Sequence, residues 1–86
     1  MPTISEFYGI LIRMYFADHN PPHFHAKYGE YRASFEITTG KLLSGDMPKT
    51  ATKLIEQWRK LYYNELLQSW DKAKSSTLPD KINPLD

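Results

Sequence analysis

The chain has no cysteine, so neither a disulfide nor a thiolate metal site can brace its fold, and a secreted disulfide scaffold is excluded. It also lacks any apolar run near the roughly 20 residues that a membrane span needs. Its first residues, MPTISEFYGILI, carry neither the basic region nor the small-residue cleavage site of a secretion signal. A soluble cytoplasmic protein with no membrane association is therefore the expectation. An excess of one charge is missing too: eleven basic residues against ten acidic leave a formal charge of +1. That excludes a general nucleic-acid footprint, so RNA or DNA could bind only through a local patch.

What the chain does have is aromatic surface. Two Trp, six Tyr and four Phe in 86 residues can supply the buried area that a chain near the lower size limit for one core would otherwise lack. One domain over residues 1–86 is expected, with a β-sheet half over 1–47, a helical half over 48–75 and an extended tail over 76–86. The predicted class is α+β: an antiparallel meander of three or four strands, packed on one face by one long or two short C-terminal helices.

The register of that sheet is legible around HFHAKYGEYRASFEI. Gly29-Glu30 suits a two-residue type II′ turn, which needs glycine at its first central position. The turn sets Tyr28 opposite Tyr31, Ala26 opposite Ala33 and Phe24 opposite Phe35, one continuous apolar face. The other face then carries His23 opposite Glu36, His25 opposite Ser34, and Lys27 opposite Arg32. Upstream, alternation in GILIRMYF puts Ile10, Ile12, Met14 and Phe16 on one side and Leu11, Arg13 and Tyr15 on the other. Gly9 marks a bulge or bend after a shorter stretch, Thr3 to Phe7. Downstream, TTGK leads into a strand around Lys41 to Leu43, with Leu42 on the core side. Leu11 and Leu43 are out of place on a polar face, which suggests a partner covering part of it.

Helical spacing begins after Asp46, a potential cap, and Pro48, tolerated in a first turn. Ala51, Leu54, Ile55, Trp58, Leu61 and Tyr62 make one stripe, while Lys49, Lys53, Arg59 and Lys60 read as its solvated face. Asn64 with Glu65 could start a second helix carrying Leu66, Leu67, Trp70 and Ala73, or the first could simply continue. Ile82 and Leu85 in the Pro-punctuated tail are placed to pack back.

All three histidines lie in DHNPPHFHA, residues 18–26, and three readings of this cluster stay open. In the first, Pro21-Pro22 fixes a turn and the imidazoles are its hydrogen-bonded rim. In the second, Glu36 holds His23 as an acid, His25 serves as a base, and Lys27, Arg32 and His19 grip a phosphodiester. Two like charges set opposite one another call for an anion beside them. In the third, the i, i+2 pair His23 and His25 binds a metal such as zinc, with His19 or Asp18 as a further ligand.

The stretches MPTISEFYGILIRMYF, DHNPPHFHAKYGEY, LIEQW, ELLQSW and KINPL resemble a widespread family of small prokaryotic proteins known as domain of unknown function number 4160. Asp18, His19, Pro21, Pro22, His23, His25, Tyr28 and Gly29 match the family pattern. The resemblance implies no assigned activity. It does imply a gene neighbourhood like that of a toxin–antitoxin pair, hence a small cognate protein encoded nearby. The functional expectation is a component of such a module, whose histidine-bearing sheet face binds that partner or an RNA phosphate and cleaves RNA without a metal. A non-catalytic module that associates with itself, and a small metal-binding protein, are the alternatives.

Overall fold

The structure, a computed structural model, describes residues 2–86. Five strands come first: β1 (Thr3–Phe7), β2 (Ile10–Arg13), β3 (His23–Tyr28), β4 (Tyr31–Glu36) and β5 (Leu42–Gly45). Two helices follow, α1 (Lys49–Leu61) and α2 (Tyr63–Lys74). The strands form one antiparallel sheet in the order β1-β2-β3-β4-β5, so the meander has five strands rather than three or four. The extra strand comes from Gly9. Tyr8 and Gly9 both have positive φ, 51° and 79°, and join Phe7 to Ile10 in a tight hairpin turn. Two left-handed central residues define a type I′ turn, whose twist matches that of the flanking strands. The irregularity expected at Gly9 lies instead between Thr3 and Ser5.

The central hairpin keeps the expected register at all six pairs, from His23 opposite Glu36 to Tyr28 opposite Tyr31. Gly29 has φ 59° and Glu30 does not share the left-handed conformation, as a II′ turn requires. Ile10, Ile12, Phe24, Ala26, Ala33 and Phe35 are buried on one face with Ala51, Ile55, Trp58, Leu66, Trp70 and Ala73 of the helices. Trp58 anchors this layer, with its ring 5.7 Å from Phe24 and 5.3 Å from Phe7.

The helical half is two helices. Tyr62, at φ −115° and ψ 33°, breaks the continuous phase of the apolar stripe. Leu61 is consequently 65% exposed, against the expectation that it packs on the sheet. Arg59 is a second correction, buried instead of solvated. Its guanidinium donates to both Glu56 carboxylate oxygens at 2.7 Å and to the Ile37 carbonyl at 2.8 Å. Asp46 does not cap α1; its carboxylate accepts the Met47 N–H, and Pro48 stands at the cap without a side-chain bond.

Leu42 pairs with Phe35 across a shift in register but stays exposed, because β5 is an edge strand exposed along its length. The tail packs back as its apolar residues suggest. Ile82 donates to the Ile4 carbonyl, and the Trp58 indole donates to the Asn83 carbonyl. No helix among the described residues is long and apolar enough to cross a membrane.

Candidate functional site

Nine residues, 14–22, join β2 to β3. This connection is pinned at several points. Met14 donates to the Pro2 carbonyl, Ala17 to the Ala73 carbonyl at the end of α2, and the Pro22 carbonyl accepts from Ile37. Between these anchors the chain turns Asp18 back toward β3. Its Oδ2 lies 2.9 Å from His23 Nε2 and 3.5 Å from His25 Nε2. Oδ1 faces away and accepts the His19 backbone N–H at 2.9 Å. The two imidazoles share a side of the sheet because they are two residues apart on one strand.

The surroundings fix both rings. His23 is buried against Trp70 of α2, with ring centres 5.1 Å apart, and His25 is stacked on Tyr15 at 4.0 Å. His23 Nδ1 lies 2.7 Å from the Pro21 carbonyl oxygen. A carbonyl can only accept, so Nδ1 carries hydrogen. Nε2 then faces a carboxylate, which also only accepts. Both contacts are favourable only when Nε2 holds a cation, either a proton or a metal ion.

Burial would raise the Asp18 carboxyl, but the His19 N–H, the charge of His23 and the two imidazole contacts together hold it below the usual carboxylate range. His25 moves down from the ordinary imidazole value, chiefly through burial, which outweighs its hydrogen bond to Asp18. His25 is thus favoured as a neutral ring with a nitrogen lone pair. That state can accept a proton or coordinate a metal.

Beside this cluster, the sheet face away from the helices carries two rows of side chains. Pairing aligns Thr3, Arg13, His25, Ser34 and Ser44 in one row, and Glu6, Leu11, Lys27 and Arg32 in the next. A groove of about 340 Å³ opens across them, lined by Leu11, Arg13, Tyr15, His25, Lys27 and Arg32, and by Ser44 on β5. No ion pair among the described residues holds Arg13, Lys27 or Arg32. Arg13 Nε is buried and has no hydrogen-bond partner. A buried donor without an acceptor costs about 1–3 kcal/mol, so this groove is short of acceptors.

The structure divides the residues singled out in the sequence. His25, Lys27 and Arg32 meet in the groove, whereas His23 and Asp18 form the adjoining cluster. Two assignments change. Glu36 does lie opposite His23, but its carboxylate accepts from the Thr38 and Thr39 hydroxyls, and Asp18 is the carboxylate that reaches the ring. His19 is exposed and contacts Asp18 Oδ1, outside both the groove lining and the convergent set of Asp18, His23 and His25. Ser34 lies opposite His25 as expected, and its hydroxyl meets that of Ser44 at 2.6 Å.

Sequence reasoning passed over Arg13 and Tyr15. The alternation in GILIRMYF already placed both on the polar side, but the pairing of β2 with β3, which sets Arg13 opposite His25, follows from a nine-residue connection. No short-turn chemistry announces that register.

A protein-family model described as a domain of unknown function (DUF4160) matches residues 9–71, from the start of β2 through the histidine loop, the hairpin, β5 and α1 into α2. No curated protein and no solved structure matches the chain.

Proposed function

The chain belongs to the family described as a domain of unknown function (DUF4160), and from the open sheet face we propose that it binds single-stranded RNA through the phosphate backbone. The observation that carries this reading is the set of three cations, Arg13, Lys27 and Arg32, that line one groove with no ion pair among the described residues. Phosphate oxygens are acceptors of the right charge, and Arg meets them with paired donors. Lys27 and Arg32, directly opposed, repel one another until an anion lies beside them.

Leu11 and Tyr15 give the same groove an apolar patch, suited to a ribose or a base face. Its volume is within the range of small-ligand sites, enough for a nucleotide unit and too little for a duplex. His25 lines the groove beside these cations, so strand cleavage, as the proposed chemistry of the site, belongs at the phosphate beside His25. A small cognate protein acting as an antitoxin would, on this reading, cover the groove and compete with RNA.

The test is binding of a labelled single-stranded oligoribonucleotide at a series of salt concentrations. Three phosphate contacts predict a slope of log K against log salt of about −2. Arg13→Ala, Lys27→Ala and Arg32→Ala should each weaken binding and flatten that slope by about 0.7, while Lys53→Ala on α1 leaves both unchanged. Affinities that are equal across all four variants would remove the reading.

A further inference from the structure

We propose that Asp18, His23 and His25 form a binding site for one divalent first-row transition-metal ion of the zinc class, coordinated by Asp18 Oδ2 and the two Nε2 atoms. Three ligand atoms from these side chains lie within 4.8 Å of one another, and the carboxylate oxygen is 2.9 and 3.5 Å from the nitrogens. Ligands at tetrahedral angles around an ion about 2.0–2.1 Å away stand about 3.3 Å apart. The two spacings to Asp18 bracket that value, and the remaining one, between the imidazoles, is no more than 4.8 Å, so side-chain rotation closes the set around an ion.

The surrounding contacts are those a metal site uses. Metal-bound imidazoles usually direct their other nitrogen to a carbonyl or carboxylate, which fixes the tautomer. His23 does this through Nδ1 and the Pro21 carbonyl, with Nε2 aimed at Asp18 Oδ2. Asp18 is oriented in the same way, with Oδ1 tied to the His19 N–H and Oδ2 turned to the rings.

Two imidazoles and one carboxylate, without thiolate, select zinc, cobalt, nickel or iron(II) over soft copper(I) and over calcium or magnesium, which prefer all-oxygen sites. Three protein ligands leave at least one coordination position for water or an anion. His25 also lines the groove, so the ion would sit beside the groove. The metal site does not rest on the RNA reading, because none of Arg13, Lys27 and Arg32 is a ligand.

The test uses protein prepared without an affinity tag, stripped with chelator and titrated with Zn²⁺ by calorimetry, with Co²⁺ absorption as the second readout. One ion per chain should bind, with Co²⁺ giving ligand-field bands and Zn²⁺ raising the melting temperature. Asp18→Asn and His25→Ala, at partly exposed positions, should each weaken Zn²⁺ binding by about 100-fold or more, beyond the 10–100-fold seen when outer partners are lost. Circular dichroism verifies that both remain folded. His19→Ala and Arg13→Ala should bind as the parent does. Absence of saturable one-to-one binding by the folded protein overturns the site. So does binding that survives Asp18→Asn and His25→Ala but falls with His19→Ala, which would mark surface histidine instead.

Discussion

Arg59 shows how much depends on where one long side chain ends. It leaves the exposed flank of α1, buries its guanidinium, and closes a bidentate pair with Glu56 while also donating to the Ile37 carbonyl just past β4. It therefore joins helix to sheet by hydrogen bonds where the neighbouring contacts are apolar. Arg59→Ala leaves that carbonyl without its donor, and the expected loss is about 1–3 kcal/mol, read from the urea midpoint. Glu56→Gln should cost less, since the Glu56 side chain is partly exposed and the exposed part of such a pair contributes little.

The pH dependence follows from the same contact. The Arg59 hydrogen bonds hold Glu56 below the usual carboxylate range against the opposing effect of burial. A group depressed in the folded state contributes stability above its unfolded pKa and loses it as pH falls through the folded value. Acid unfolding should accordingly begin at higher pH in Arg59→Ala, and part of the acid decline should disappear in Glu56→Gln. A parallel acid profile in parent and both variants would contradict this account of the pair.

Among the elements, the β3–β4 hairpin is the most self-determined. A glycine with φ 59° and matched apolar pairs specify one register, and every pairing read there from the sequence is present. Gly29→Ala puts a side chain on left-handed backbone and should cost about 1–2 kcal/mol, seen as a lower melting temperature with the fold retained. Apart from its chain neighbours, no described residue has a heavy atom within 4 Å of where the added carbon would go, so the cost is conformational alone.

Elements whose position depends on distant packing were less legible. The stripe from Ala51 to Tyr62 is helical as its spacing requires, yet the break at Tyr62 turns Leu61 to solvent. Leu61→Ser should then change stability by no more than about 0.5 kcal/mol; a loss of several times that would mean Leu61 is covered in solution. The histidine loop was legible as a concentration of imidazole but not as a geometry. Its decisive carboxylate, Asp18, is set by backbone bonds to Pro2, Ala73 and Ile37, and none of these leaves a local mark in the sequence.

At the scale of the whole molecule, the sheet has two unlike faces. One is closed by α1 and α2 over Trp58 and the two facing phenylalanines. The other presents Arg13, His25, Lys27 and Arg32 around a groove, so a chain with a formal charge of only +1 still concentrates in one place three cations that form no ion pair among the described residues. The proposed RNA reading needs that local patch and no global charge. The direct measurement is a proton–nitrogen NMR titration with a short single-stranded oligoribonucleotide, following the side-chain Nε–H of Arg13 together with the backbone amides. The account predicts a shift of the Arg13 Nε–H signal as the guanidinium meets a phosphate, with accompanying shifts at Leu11, His25, Lys27, Arg32 and Ser44 and little change along α1. Saturating RNA that leaves the Arg13 Nε–H unmoved, or shifts that gather on the helices, would contradict it.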